Sequence, residues 1–287
     1  EIMLKRLLEL DAQPTRDASL EPSADLRERQ RERLGRRLIP PVFELVEWLD
    51  APPDETWNGG LFANGVIDAL PTPRFTLRDG EVFEEGVALD GEGRFVRTDR
   101  PADALLSAAV RHVERYLDAP FPDGYRSELL PQLPYWIQAV MGGLDRGAML
   151  FADYGYPRRE FYQADRDDGT LRAYYRHRVH NDAYLWPGLQ DITASIDFTA
   201  LAEAGTNAGF DLAGYTTQAN FLLGNGLQER LDEAQARADE ATLLRLRNEA
   251  KRLTLPSEMG ERFQLMGFSR DVEFGAAFLF NDLSWRL

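Results

Sequence analysis

Apolar residues in the first twelve positions, Ile2, Leu4, Leu7, Leu8 and Leu10, recur at helical spacing. They predict the tail of an amphipathic helix that has no capping residue before Ile2. A short strand is predicted near Ala18–Leu20, stopping at Glu21-Pro22-Ser23. Ala24–Arg37 predicts a charged surface helix carrying Leu26 and Leu34, and Val42–Leu49 a second strand. Leu61-Phe62-Ala63 predicts a third strand, which ends at Asn64 and leads into Asp68-Ala69-Leu70-Pro71. Strands alternating with helices predict a parallel sheet with helices on its faces.

The pattern changes over residues 74–100. Arg74–Leu77, Glu81–Phe83 and Arg94–Arg97 are separated by Asp79-Gly80 and Gly91-Glu92-Gly93, predicting short antiparallel strands and turns. Ala102–Leu117 and Tyr135–Leu144 predict helices on either side of a proline-punctuated loop, Pro120–Pro134. Ala148-Met149-Leu150-Phe151-Ala152 is a continuous apolar run, as expected of a buried central strand, and it ends at Asp153-Tyr154-Gly155-Tyr156. Residues 157–191 are polar, aromatic-rich and weakly periodic, which predicts a long functional loop over the strand ends near Asp68 and Asp153.

Beyond that loop, Phe198–Ala208 predicts a helix and Gly214–Ala219 a strand. Leu227, Leu231, Ala234, Ala238 and Ala241 predict an amphipathic helix forming a hairpin with residues 242–254. Final strands are expected at Phe263–Phe268 and Gly275–Phe280. The chain thus divides into a first core part (1–73), an inserted β/helical segment (74–146) and a second core part with the long loop (147–220). A helical insertion (221–258) and C-terminal core strands (259–287) follow.

Composition narrows the chemistry. The 287 residues carry 33 Lys plus Arg against 48 Asp plus Glu, a formal net charge of −15, which disfavours nucleic acid as a partner. The absence of cysteine excludes disulfides, thiolate metal sites and cysteine nucleophiles. No apolar run approaches the roughly 20 residues that span a bilayer, and the mixed-charge start does not read as a signal peptide. A cytoplasmic location without membrane insertion is therefore expected.

In an open α/β sheet, ligands gather at the carboxyl ends of the strands. The predicted ends carry Glu21, Glu47-Trp48, Asn64 with Asp68, and Asp153-Tyr154. A carboxylate can accept from two vicinal ribose hydroxyls, an aromatic can stack on adenine, and an amide carbonyl can accept from an amine. Each residue alone is an ordinary loop residue; the four ends together are informative. A nucleotide-binding fold also needs a glycine-rich turn about 20 positions before the acidic residue. Glu21 places that turn, and the strand before it, immediately upstream of Glu1. Gly91-Glu92-Gly93 reads as a hairpin turn and Gly224-Asn225-Gly226 as a helix boundary. His177 and His180 lack a third ligand, so no metal site is expected, and His177 is a candidate for proton transfer or substrate positioning.

Several ordered motifs make the chain similar to a known family. They are Leu20-Glu21-Pro22-Ser23-Ala24-Asp25-Leu26-Arg27-Glu28-Arg29-Gln30, Phe62-Ala63-Asn64 and Asp68-Ala69-Leu70-Pro71. Asp153-Tyr154-Gly155-Tyr156, Gly169-Thr170-Leu171-Arg172, His177, Pro187-Gly188 and Asp191-Ile192-Thr193 continue the series. Asp197-Phe198, Gln218 with Phe221-Leu222, and Met259-Gly260-Glu261-Arg262-Phe263 complete it. Over residues 18–268 the chain resembles the MidA-like family of S-adenosylmethionine-dependent methyltransferases, whose mitochondrial members are complex I assembly factors that methylate a protein arginine.

The resemblance implies a class I methyltransferase fold, a Rossmann-like, mostly parallel α/β sheet with helical and small β insertions. S-adenosyl-L-methionine is the implied cofactor. Glu21 would hold its ribose, Trp48 would lie near adenine, and Ala63 and Asn64 would border the methionine part. Ser23 and Glu47 belong to the same cofactor-binding set. Asp68, Asp153, Tyr154, His177 and Asp191 would serve the acceptor side, and Asp68 is the leading candidate for holding an arginine. Its plain alternative is a helix N-terminal aspartate that stabilises the turn. The implied partner is an acceptor protein, with a respiratory complex I subunit as the example the family offers. Where the family usually has Asn-Glu, this chain has Asn64-Gly65, so one pocket carboxylate is missing. A rival reading is a non-catalytic, methyltransferase-like interaction protein or assembly factor; an NAD-linked oxidoreductase ranks third, since nothing supplies a nicotinamide site.

Overall fold

The computed structural model of the chain describes residues 1–176 and 178–287. They form two compact units, Glu1–Thr56 with Ala139–Gly143, and Trp57–Gln138 with Leu144–Leu287. The first unit contains α1 (Ile2–Glu9), β1 (Asp17–Leu20), α2 (Ala24–Arg37), α3 (Pro40–Phe43) and β2 (Val46–Leu49). Ser23 caps α2 by accepting the Leu26 N–H at 3.3 Å, and Asp25 in its first turn and Arg36 and Arg37 in its last complement the helix dipole. Leu4, Leu38 and Val42 are buried together, with Leu8, Leu34, Phe43 and Val46 packed around them. β1 and β2 pair in parallel, Ser19 opposite Trp48. The strand expected from Val42 begins only at Val46, because Pro40-Pro41 pre-set the first turn of α3.

The second unit starts with β3 (Trp57–Asn64), β4 (Arg74–Arg78), β5 (Glu81–Leu89), β6 (Phe95–Pro101), α4 (Ala104–Glu114) and β7 (Arg126–Glu128). Then come α5 (Leu133–Met141), β8 (Leu144–Tyr156), α6 (Arg158–Phe161), β9 (Arg172–Tyr175), β10 (Arg178–His180), β11 (Asp191–Thr193) and β12 (Ile196–Asp197). It closes with α7 (Phe198–Asn207), β13 (Asp211–Thr217), α8 (Gln218–Gly224), α9 (Leu227–Gln235), α10 (Glu240–Thr254) and β14 (Phe263–Arg270).

Strand β8 organises this unit. β3 runs parallel to it along Leu144–Ala152, and β12 parallel at Gly155–Tyr156. β14 runs antiparallel between β8 and β13. The expectation of a mostly parallel sheet is therefore corrected to a mixed one. The reason lies in the chain path. Thr217 at the end of β13 pairs with Gln264 near the start of β14, so α8–α10 return the chain to the end it left, and the next strand must run back. Two further sheets, β6-β5-β4-β7 and β10-β9-β11, are wholly antiparallel.

Met149 and Phe151 of β8 are buried, as the apolar run predicts. The strand does not stop at Asp153 but continues to Tyr156, because Gly155 lets the backbone of Ile196 approach where any side chain would collide. Phe75, Leu77 and Val82 of the small sheet pack with Leu106, Val110 and Val113 of α4. The long segment after β8 contains β9–β11, strands of three or four residues that are too short to display a period of two. Gly275–Phe280, expected as a strand, is a series of turns; its Phe278 is 4% exposed and packs its ring against Gly214 and Gly267 of the neighbouring strands. No helix among the described residues is long and apolar enough to cross a membrane.

Candidate functional site

Strand β3 ends beside Ala152 of β8, while β8 itself runs on to Tyr156. Asn64 lies opposite Ala152, and the Gly65 N–H donates to the Ala152 carbonyl at 3.0 Å. Gly65 then adopts φ +62°, a left-handed conformation that favours glycine, and the chain bends into a turn closed by Leu70 N–H on the Ile67 carbonyl at 3.1 Å. Asp68 sits in this turn, and the next element is β4, so it does not begin a helix.

Asp153 braces the turn from inside β8. It is 2% exposed. Its Oδ2 accepts the N–H groups of Ile67 at 3.2 Å and Asp68 at 3.3 Å, and its Oδ1 accepts that of Tyr154 at 2.9 Å. The Asp68 carbonyl in turn accepts the Ala194 N–H at 3.1 Å, which ties the turn to the segment after β11. Asp68 Oδ1, Tyr154 Oη and Thr193 Oγ1 are all buried, and none closes a hydrogen bond. The Tyr154 hydroxyl nonetheless lies close enough to Thr193 and Asp68 to interact with both.

Burial pushes Asp153 up to about 7, and the Asp68 charge adds to this against the pull of the three backbone donors. Burial also raises Asp68; the Tyr154 hydroxyl opposes the rise and the Asp191 charge reinforces it. Tyr154 is raised, first by burial, and so stays a neutral hydroxyl. The Tyr154 hydroxyl thus lies between Thr193 and Asp68, and a carboxylate oxygen beside a hydroxyl that can donate or accept suits a group rich in N–H donors.

The structure thus brings Asp68, Asp153 and Tyr154 together. Asp191 lies on β11 at the rim, exposed, and acts on Asp68 through charge. His177 lies outside the described residues. His180 is half-buried on β10, its ring edge-to-face with Trp186 at 5.5 Å. Thr193 falls in the Asp191-Ile192-Thr193 motif but was not singled out from the sequence as a site residue. The signal was present, because residues 191 and 193 share one face of a strand.

The cofactor-side residues of the first unit form a connected chain. Glu21 follows the end of β1, its Oε1 accepting the Ser23 N–H at 3.0 Å and its Oε2 the Gln30 amide at 3.4 Å. Gln30 accepts from Trp48 Nε1 at 2.8 Å, so one glutamine links the carboxylate to the indole. Arg27 bonds the carbonyls of Glu21 and Leu49, tying together the ends of β1 and β2. The Arg31 guanidinium lies 4.9 Å from the centre of the Trp48 ring and covers one face. Glu47 and Trp48 lie within β2 and not after it, so they point to opposite faces, and the Glu47 carboxylate pairs with Arg16. A carboxylate just past one parallel strand, linked to an aromatic within its neighbour, fits a nucleoside. In the second unit, Ala63 is half-buried and Asn64 exposed at the end of β3.

The family described as "Putative S-adenosyl-L-methionine-dependent methyltransferase" matches residues 5–216. Among curated proteins, the mitochondrial protein arginine methyltransferase NDUFAF7 of Danio rerio is 30% identical over 231 residues, covering 76% of this chain and 49% of that protein. Its Rattus norvegicus counterpart is 35% identical over 210 residues, covering 70% and 43%. The chain spans about half the length of these relatives. A Burkholderia thailandensis protein crystallised with S-adenosyl-homocysteine superposes with a TM-score of 0.88 at 38% identity, over 99% of this chain and 72% of that one. A native crystal structure of the same superfamily, from the same organism, gives 0.88 at 39% identity, over 99% and 74%. The α/β methyltransferase fold is therefore established. The cytoplasmic expectation is overturned, because the curated relatives are named as mitochondrial proteins.

Proposed function

The chain belongs to that methyltransferase family, and on this premise we propose that it moves the methyl group of S-adenosyl-L-methionine onto an arginine of a protein partner. The observation that supports the reading is the buried Asp68 Oδ1 beside the Tyr154 hydroxyl, with Thr193 on that hydroxyl's other side, all three without a closed hydrogen bond among the described residues. A guanidinium supplies the N–H donors that such a set lacks, and a charge-assisted bond to Asp68 is stronger than a neutral one. Glu21, with Ser23 and Trp48, would hold the nucleoside end of the cofactor within the first unit. When bound, the cofactor supplies a methyl group already activated on sulfonium sulfur. The task left to this chain is to hold the acceptor nitrogen in line and to receive its proton, which Asp68 Oδ1 can do. Asp153 fixes the turn that places Asp68. The net charge of −15 suits a cationic acceptor, and the resemblance to complex I assembly factors makes a complex I subunit the first partner to assay.

A second reading is favoured by one observation. A Cβ on residue 65 would lie 3.9 Å from Asp68 Oδ1, so glycine there leaves the pocket one carboxylate short of the family's usual set. A non-catalytic scaffold that binds a partner would tolerate this. Mass spectrometry of a candidate acceptor incubated with S-adenosylmethionine separates the two. Wild type should add a methyl group to arginine, and Asp68→Asn should lower the rate at least about tenfold with S-adenosyl-homocysteine affinity unchanged. Cofactor binding without any transfer favours the scaffold, and equal rates remove Asp68 from the acceptor site.

A further inference from the structure

Away from the carboxylate pair, the second unit holds a cavity of about 300 Å³ walled by α4, α6, α7 and residues 128–134. Its lining is chiefly apolar, with Val113, Leu133, Phe161 and Ala204 among the contributors. Packed interiors leave few voids larger than a water molecule. An engineered apolar cavity of about 150 Å³ already takes up benzene, and ligand sites begin at about 300 Å³. The volume is therefore that of a binding site.

The polar groups in the wall define the ligand. Arg158 is 3% exposed and closed on its partners, Asp197 at 3.1 Å and Glu203 at 2.7 and 2.6 Å. The two carboxylates around it repel an anion. Asp197 and Glu203 set two carboxylates against the single Arg158, so this part of the wall is net acidic even with both Glu203 oxygens bonded to Arg158, and His112 lies beside Glu203 at 3.5 Å. Glu128 is instead held by Thr170 and Arg74. Glu203 and Asn207 reach solvent, which places the polar end of the cavity at its mouth. We propose that this cavity binds a compact molecule with an apolar body of ring size and a cationic head, the body against Val113, Phe161 and Ala204 and the head at Glu203 and Asn207.

Occupancy would be felt at the carboxylate turn. Ile67 lines the cavity, and its N–H is held by Asp153 at 3.2 Å. Ala194 also lines it, and its N–H holds the Asp68 carbonyl at 3.1 Å. A bound molecule therefore bears on both points that fix Asp68. This consequence rests on the acceptor-site reading above; the binding itself does not.

Phenethylamine is the probe and 3-phenylpropionate its charge-reversed control. Saturation-transfer NMR on the 287-residue protein should show saturable phenethylamine binding with a Kd of about 1 mM, and the control at least tenfold weaker. Ala204→Phe, which fills the cavity, should weaken phenethylamine at least tenfold. Hydrogen exchange in wild type should slow in α4, α7 and residues 66–70 when the probe is added. No saturable binding, equal binding of both probes, or wild-type affinity in a folded Ala204→Phe protein would overturn the proposal. Should that variant not fold, protection confined to segments outside α4 and α7 overturns it instead. None of these readouts needs methyl transfer. Loss of protection at residues 66–70 alone would sever the coupling and leave the cavity as a binding site.

Discussion

Asp153→Asn tests whether the carboxylate under the turn is held in a disfavoured charge state. In the folded protein its proton affinity is raised to about 7 from an unfolded value of 3.8, first by burial and then by Asp68. A raised carboxyl group contributes stability that is fully present below the unfolded value and is lost as pH rises through the folded one. For these two values the contribution is close to zero at pH 8 and amounts to roughly 2.5 kcal/mol at pH 5. Asparagine cannot titrate, so it lacks this gain. It also offers one acceptor oxygen where aspartate receives three backbone N–H groups on two, which leaves a donor unsatisfied at a pH-independent cost of about 1–3 kcal/mol. Urea unfolding of both proteins at pH 5, 6, 7 and 8 should therefore show the variant losing ground steadily as pH falls. The stability difference should grow by roughly 2.5 kcal/mol between pH 8 and pH 5. A difference that stays constant across that range would refute the argument, because it would mean that Asp153 titrates alike in both states.

Two further variants probe each unit separately. Glu21→Ala should weaken S-adenosyl-homocysteine binding by about 1.5–3 kcal/mol in a calorimetric titration, the range for a hydrogen bond to a charged group, and equal affinity would take Glu21 out of the cofactor site. Arg158→Ala removes the cation shared by buried Asp197 and by Glu203, and should destabilise the fold by about 3–5 kcal/mol; a melting temperature within about 2 °C of wild type would show that the triad carries little.

How much could be read from the sequence depended on the length over which a pattern repeats. The apolar run at 148–152 marked β8 because the signal extends over many residues. The Leu227–Ala241 spacing marked helix but ran through the break between α9 and α10, which starts after Gln235 and not after Ala241. Glu21 was legible as a strand-end carboxylate because Pro22 and Ser23 punctuate the chain there. The direction of β14 was not legible, because periodicity reports which face is buried and nothing about where the chain re-enters the sheet. Strands of three residues, such as β10 and β11, contain too few alternations to be seen. Thr193 was not singled out because its place at the site comes from proximity to Tyr154, 39 positions away on a strand of another sheet, which only the tertiary fold creates.

The acceptor site also has a reason for its position. β3 stops at Asn64 while β8 runs on, and Asp153, the β8 residue just past that point, satisfies two N–H groups of the turn that follows β3, those of Ile67 and Asp68. The same contact sets a second carboxylate beside the first in a dry environment, so each raises the energy of charging the other site. A glutamate at position 65, its Cβ 3.9 Å from Asp68 Oδ1, would bring a third carboxylate to the turn and add to that repulsion, and φ +62° would strain any residue with a Cβ. Gly65→Glu should therefore lower stability at pH 8 more than at pH 5, since the added charge is repelled only when ionised. Restoring the family's usual residue in this chain would thus require the turn to move, and glycine at 65 belongs with the local geometry that Asp153 enforces.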